Sequence, residues 1–328
     1  MKKSFSTIAL LLLSALLTFS CSTVKDFIGS PSLAMKSVSI SGLDLEGITF
    51  KCDYEISNPY PLGFKIKSVA ADIIYDSDTK FTSISTANGL AVAAMASADN
   101  SFNFKVPYET ILTFAKKTSG KKSLPFAVKG NASLNTSKFL GKDLSLPFSK
   151  SFDVPVFKPK FSVSEVKVQL PSVAQLTKSL VSGGMNGVNA AKLAADIVAG
   201  KSLPENAFDG VNLDMGLNFN LNVANEGSSE WKYALDSCSL NTVAGNLADV
   251  APASSAAISS SSGTIPMTAK LNTIQAGKFI IQLLNKKGSN PTFNVSSKLS
   301  FPEISNALNL PLNYSKEIPL SSVALSKS

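Results

Sequence analysis

One order of secondary-structure signals runs twice through this chain, and that doubling constrains the fold more than any other feature. Ile48 to Val69 reads ITFKCDYEISNPYPLGFKIKSV, and Leu217 to Leu235 reads LNFNLNVANEGSSEWKYAL. With Asn58 laid on Asn225, Ile56 falls on Val223, Tyr54 on Leu221 and Phe64 on Trp231, an offset of 167 residues. Each block alternates apolar and polar residues, turns, and alternates again, which predicts strand, turn and strand. The same offset of 167 lays Phe126 on Phe293 and Val128 on Val295. Before each of these runs a short helix that ends in lysines. Ile111, Leu112 and Ala115 show helical spacing in the first, and Phe279, Ile280, Leu283 and Leu284 in the second. Leu146 to Pro155 (LPFSKSFDVP) then matches Leu310 to Pro319 (LPLNYSKEIP), with two prolines eight apart in each. Four collinear matches predict a duplication, and a period this long makes two domains rather than a solenoid.

The boundary is expected at Val156–Lys160, with domain 1 over 31–157 and domain 2 over 160–323. Domain 2 is longer through an insertion over 170–210. There Ser172 is placed to cap a helix carrying Val173, Leu176 and Leu180, which Gly183-Gly184 would end. Asn189 is placed to cap a second helix carrying Ala190, Leu193, Ala194 and Ile197, with Gly200 beyond it. A helical hairpin inserted in the second repeat follows. Ala251–Thr264 reads as a Ser/Ala-rich loop, and Ala324–Ser328 as a frayed tail.

Two absences narrow the function. All 31 basic residues are lysines, so the chain has no Arg, and it has no His. No Ser-His-Asp or Cys-His device, imidazole ligand or neutral-pH proton switch can be built. No guanidinium fork is present for phosphate, carboxylate or guanine. The net charge of +8 still attracts anionic surfaces. Acidic residues are scattered, Asp76-Ser77-Asp78 is too short for a calcium loop, and the Gly183–Gly187 stretch lacks the Gly-Lys-Ser/Thr of a phosphate cradle. The chain is therefore read as a non-enzyme with no cofactor and no metal. Nucleic acid is not an expected partner, since the basic residues lack Arg and interleaved aromatics.

The amino terminus reads as an address. Lys2 and Lys3 precede an apolar run from Ile8 to Phe19, and its 12 residues are too few to span a bilayer. Residues 1–20 are expected to be a signal peptide. Ser20 followed by Cys21 resembles the bacterial lipobox, in which the Cys is acylated and becomes the first mature residue. Ser22 after it resembles an outer-membrane sorting context. The resemblance implies a lipidated tether over 21–30, export, and anchoring of the protein to the bacterial cell envelope at the outer membrane. The alternative is an ordinary signal peptide cleaved nearby, with Cys21 a free thiol. Cys52 and Cys238 read as two buried thiols on strands, with a disulfide between them the other option.

Further residues carry a second resemblance. Ser37-Val38-Ser39-Ile40-Ser41-Gly42-Leu43, the strand running into Asn58-Pro59-Tyr60-Pro61, and Val106-Pro107-Tyr108 before the short helix resemble the late-embryogenesis-abundant (LEA) type 2 family, also called the WHy domain. The likeness covers most of the first repeat and the second more weakly, where Asn225-Glu226 replaces Asn-Pro. It implies a mostly β chain: two tandem antiparallel fibronectin-III-like β-sandwiches, each with a short helix. It also implies a non-catalytic protein with a link to stress or desiccation. The physics of Asn58 stands apart from the likeness: Asn tolerates turn conformations, and Pro59 and Pro61 end strand pairing.

Two readings compete for the lysines. Lys116, Lys117, Lys121 and Lys122, echoed by Lys286 and Lys287, complement helix C-termini on one reading. On the other they touch anionic headgroups or cell-wall polymers. The function expected is a lipid-anchored envelope protein in a binding or structural role, partnered by the membrane and by an envelope protein or lipid. The alternative is a carrier with an acyl chain held between sheets or beneath the helical insertion.

Overall fold

A computed structural model of the protein describes residues 29–328, apart from 77–78, 87–88, 119, 244, 254–256, 260, 272, 305–306 and 328. The expected signal peptide and Cys21 lie outside the described residues. By compactness the chain divides into two units. One comprises the described residues up to Ser39, Phe50–Phe104 and Pro125–Val154; the other comprises those of Ile40–Thr49, Lys105–Leu124 and Pro155–Ser328.

In the first repeat, β1 (Ser32–Leu43), β2 (Gly47–Asn58) and a later strand over Ala96–Pro107 form a three-stranded sheet with β2 in the middle. Between them in sequence run β3 (Phe64–Tyr75), β4 (Thr79–Thr86) and the two-residue β5 (Ala91–Val92), so the Ala96–Pro107 strand is β6. Helix α1 (Tyr108–Ala115), β7 (Ser123–Asn135), the single turn α2 (Ser137–Leu140) and β8 (Leu144–Pro155) follow. The second sheet is ordered β4-β3-β7-β8, with β5 added to β3. β3 runs antiparallel to β4, β5 and β7.

Alternation puts one face of each strand inside. On β2, Phe50, Cys52, Tyr54 and Ile56 are buried, and on β3, Phe64, Ile66, Val69, Ala71 and Ile73. Phe50 stacks on Phe104 of its own sheet at 5.4 Å between centroids. It also meets Phe152 of the other sheet at 5.0 Å, and Phe152 in turn lies 6.0 Å from Phe126. Contact between side chains of opposing sheets is the core of a sandwich.

The second repeat repeats the strands in order: β9 (Pro159–Leu170), β10 (Gly216–Asn225), β11 (Lys232–Thr242), β12 (Gly245–Pro252), β13 (Ala257–Ile258) and β14 (Ser262–Lys270). A helix over Thr273–Asn285, β15 (Thr292–Ser300) and β16 (Leu310–Glu317) complete it. The order β9-β10-β14 copies β1-β2-β6, and β12-β11-β15-β16 copies β4-β3-β7-β8, with β13 on β11 as β5 is on β3. One difference matters. Val250–Pro252 of β12 pair with Ala269–Met267 of β14, which joins both halves into a nine-stranded sheet.

The insertion holds α3 (Val173–Ser182) and α4 (Gly187–Val198), so the Thr273–Asn285 helix is α5. Ser172 starts α3 with a capping box: its hydroxyl accepts from the Gln175 N–H at 3.3 Å, and the Gln175 side-chain oxygen accepts from the Ser172 N–H at 2.9 Å. Leu176 and Leu180 are buried, whereas Val173, at the amino-terminal end of the same stripe, is exposed. Asn186, not Asn189, caps α4. Its carbonyl oxygen accepts from the Asn189 N–H at 2.9 Å, so Asn189 is the capped position. Two further expectations change. The Ala251–Thr264 stretch holds the end of β12, all of β13 and the start of β14. The tail forms β17 (Ala324–Lys327), pairing parallel with Lys167–Leu170 and covering part of the β9 edge. Four residues are too few for alternation to signal a strand.

Candidate functional site

The turn after the second strand of each repeat is built on one asparagine. The Asn58 carbonyl oxygen accepts from the Tyr60 N–H at 3.0 Å, and its amide nitrogen donates to Leu62 O at 3.0 Å and to Ala93 O at 2.8 Å. The Asn225 carbonyl oxygen accepts from the Gly227 N–H at 2.7 Å and the Lys158 N–H at 3.0 Å, and its amide donates to Ser229 O at 3.1 Å. Glu226 takes the place of Pro59 with the bonds two and four residues on kept, while among the described residues the bond to Ala93 O has no counterpart and one from the Lys158 N–H is added. Gly227 is needed for another reason: a Cβ there would lie 1.9 Å from Val156 O. Asn58 and Asn225 are scaffold residues.

The candidate lysines fall into two groups. Lys116 and Lys117 follow α1, and their N–H groups donate to Leu112 O and Phe114 O, both at 3.0 Å. The Lys117 ammonium lies 5.7 Å from the centre of the Phe114 ring. Lys286 follows α5 with a left-handed backbone (φ 51°), and the Lys287 N–H closes the helix on Gln282 O at 3.1 Å. These four and Lys121 are exposed, and among the described residues no ion pair involves them. Lys122 is different. Its ammonium meets Glu230 at 2.5 Å and Glu303 at 2.7 Å, and these two hydrogen bonds hold its pKa above the ordinary lysine value. Its charge is paired within the second unit, and the side chain is exposed like the other five.

Sequence reasoning missed the carboxylates of this unit because they come from distant positions. Lys158 pairs with Glu109 at 2.8 Å and Glu226 at 3.1 Å, and Lys160 adds to Glu226 at 3.2 Å. The hydrogen bonds from Lys158 and then Lys160 keep the Glu226 carboxyl low. Lys105 bridges Asp44 at 2.6 Å and Glu46 at 2.8 Å, while the Tyr108 hydroxyl donates to Asp44 O at 3.0 Å. Such exposed pairs contribute little each.

The thiols are chemically quiet. Cys52 and Cys238 are buried and free, which removes the disulfide option. Burial, then the nearby Asp53 charge, pushes the Cys52 thiol up to about 12, and burial alone does so for Cys238. A protonated buried thiol is a poor nucleophile. Beside α3, in the second unit, runs an open groove of about 1040 Å³. Gln169, Gln175, Lys178, Asp214, Asp249 and Lys270 line it, and Lys270 pairs with Asp214 at 3.1 Å. Leu170, Pro171, Met215, Ala251 and Ala269 line it as well, so its wall mixes polar and apolar side chains. Among the described residues, no helix is long and apolar enough to cross a membrane.

The model of a family described as late embryogenesis abundant protein matches residues 53–152. These residues form an LEA type 2 domain. The match runs from within β2 to within β8 and takes in the Asn58 turn. A solution structure of an LEA protein is 16% identical, with 47% of this chain and 86% of that one covered at a TM-score of 0.33. A solution structure from Arabidopsis thaliana is 11% identical over 39% of this chain and 83% of that one, also at a TM-score of 0.33. A crystal structure from Archaeoglobus fulgidus is 7% identical over 39% and 95%, at a TM-score of 0.29. Among curated proteins none matches the chain.

Proposed function

We propose that this is a non-catalytic, lipid-anchored protein of the bacterial envelope, held by acylated Cys21 at the outer membrane, whose LEA type 2 domain and its repeat act by binding in a stress-related role. The observation that carries the reading is the family match over 53–152, set beside a second repeat with the same strand order and the same asparagine turn. The LEA type 2 family is generally non-enzymatic and is linked to stress. The chemistry of the chain is in keeping with that. Its two described thiols stay protonated, and its described ion pairs serve to hold loops and strands. Lys116, Lys117, Lys121, Lys122, Lys286 and Lys287 are exposed and suit an anionic surface at about 1 kcal/mol per residue, with Lys122 also paired to Glu230 and Glu303.

Cell fractionation tests the anchor. The natural protein is expected in the outer-membrane fraction, with a mass at the mature amino terminus that includes acyl chains. An amino terminus cleaved elsewhere, with a free Cys21 thiol, overturns it. Crosslinking in intact cells followed by pull-down of the anchored protein tests the binding role. A reproducible envelope partner is expected, and recovery of the protein alone under all stress conditions overturns it.

A further inference from the structure

The turn after β2 differs in surface from the matching turn after β10, although its two closing hydrogen bonds match. In the first repeat it reads Asn58-Pro59-Tyr60-Pro61-Leu62-Gly63, and in the second Asn225-Glu226-Gly227-Ser228-Ser229-Glu230. The neighbouring loop shows the same exchange: Ala93-Ala94-Met95 in the first repeat against Ser259-Ser260-Ser261 in the second. In the first unit the two loops form one tip. A single amide, that of Asn58, donates to both Leu62 O and Ala93 O, and the Met95 N–H donates to Tyr60 O at 2.9 Å. Gly63 permits this approach, since a Cβ there would lie 3.1 Å from Val92 O.

The tip exposes what folding normally hides. Leu62 is 54% exposed and Met95 71% exposed, flanked by exposed Pro61, Ala93 and Ala94. No charged residue occurs from Ile56 to Phe64 or from Phe81 to Ala98. Met95 also holds a left-handed backbone (φ 52°), a conformation that a bulky side chain adopts at a cost and glycine does not. A large apolar residue kept at a strained, exposed position points to a use at the surface.

The chain outside the described residues says what that surface meets. Gly29 lies against this turn: a Cβ built on it would be 3.8 Å from Pro59 Cβ. Eight peptide links separate Gly29 from Cys21, so the two α-carbons are at most about 28 Å apart. We propose that the Leu62–Met95 tip seats in the lipid bilayer that holds Cys21, as an apolar foot at the interface. This rests on the anchored reading above. The exposed Lys65 beside the tip suits the headgroup level, with its stem along the apolar surface. The second repeat, with serines and glutamates at the same turn, has no such foot.

The test places one cysteine at a time in the full chain, Leu62→Cys, Met95→Cys or Thr79→Cys, and attaches a nitroxide. Cys52 and Cys238 are buried and do not compete for the label. Thr79 opens β4 opposite Tyr75, at the far end of the 12-residue β3, about 36 Å along the strand from Phe64. In vesicles of phosphatidylethanolamine and phosphatidylglycerol, nitroxides at 62 and 95 are expected to collide several-fold more with oxygen than the one at 79, and to be shielded from a water-soluble nickel chelate. If they match position 79 while the protein sediments with the vesicles, the foot is overturned and the anchor stands. If they are shielded from both reagents, a protein covers the tip and the foot is again overturned. If the protein does not sediment with vesicles at all, the anchored reading falls and the foot with it. Leu62→Ser with Met95→Ser, which imports the serines of the second repeat, is expected to keep the fold and loosen the natural protein's hold on vesicles several-fold.

Discussion

Asn58 and Asn225 stand 167 residues apart and close their turns with the same two bonds, one accepted from the N–H two residues on and one donated to the C=O four residues on. Asn58 is 1% exposed, so truncation leaves the buried Tyr60 N–H without its partner and removes two bonds that tie the neighbouring loops. Asn58→Ala is expected to cost about 2–4 kcal/mol, and the half-buried Asn225→Ala about 1–2. Pro59→Ala removes no hydrogen bond and is expected to cost less than about 1 kcal/mol. Urea unfolding followed by circular dichroism ranks the three, and a Pro59 effect equal to that of Asn58 would move the control of the turn to proline.

Gly227 and Gly187 make a matched pair of opposite sign. A methyl on Gly227 would overlap Val156 O at 1.9 Å, while Gly187, the first residue of α4, has nothing within 4 Å. Gly227→Ala is expected to cost more than about 3 kcal/mol, since backbone must move to admit it. Gly187→Ala is expected to gain about 0.5 kcal/mol, by stiffening the unfolded chain and favouring the helix. Thermal melts of the two variants separate these outcomes by direction alone.

Much of this was legible because strands announce themselves locally. The alternation of Phe50, Cys52, Tyr54 and Ile56 needs no partner to be read, and the Asn58 turn lies within six residues. The capping box of Ser172 and Gln175 is local too. What stayed hidden depends on distance. Lys122 gives no hint of Glu230 or Glu303, 108 and 181 residues further on. The merging of two sheets rests on three residue pairs between β12 and β14, too few to leave a pattern. The grouping of 40–49 and 105–124 with the second unit follows space rather than sequence. The apolar foot was hidden in a third way: Leu62 and Met95 are ordinary residues until one amide joins their loops.

Stability should respond to pH at both ends and not in the middle, because no histidine is present. At the acid end, burial alone would raise the Asp44 pKa, but the Lys105 bond and the Glu46 and Gly47 amides outweigh it and leave it lowered. Asp53 is lowered by Lys51 and Asp143 by Lys67. Carboxyls lowered in the fold stabilise above the unfolded value near 3.9, and that contribution is lost as pH falls through the folded values. At the alkaline end the buried thiols act first. They are raised to about 12 when folded, so the unfolded chain loses these protons first, from about 8.5, and stability declines from there. The urea midpoint is expected to be level from about pH 5 to 8 and to fall outside that window. Cys52→Ala with Cys238→Ala should delay the alkaline fall to about pH 10, where tyrosines and lysines begin to titrate. A double variant with the same alkaline onset as the natural protein would show that the thiols do not set it.

Phe157 sits where four aromatic side chains of the second unit converge, and its neighbours differ in what they cost to replace. It is fully buried, 4.8 Å from Phe301, 5.6 Å from Trp231 and 5.9 Å from Tyr108 between ring centres. Phe157→Ala leaves a cavity that strands and helix cannot close together, and about 3–5 kcal/mol should be lost. Trp231 fills comparable space, but among the described residues its buried indole N–H has no hydrogen-bond partner. Trp231→Phe gives up packing volume and also removes that unmade bond, a penalty of about 1–3 kcal/mol. The two effects oppose, so the net change should stay within about 1 kcal/mol. Phenylalanine is also the residue at the matching position of the first repeat, Phe64, which is buried at the start of β3. Far-UV circular dichroism in urea checks both variants, since Trp231 is the chain's sole tryptophan and fluorescence is lost with it. A Trp231→Phe loss as large as that of Phe157→Ala would mean that the indole N–H has a partner, such as a buried water, and that the cluster depends on it.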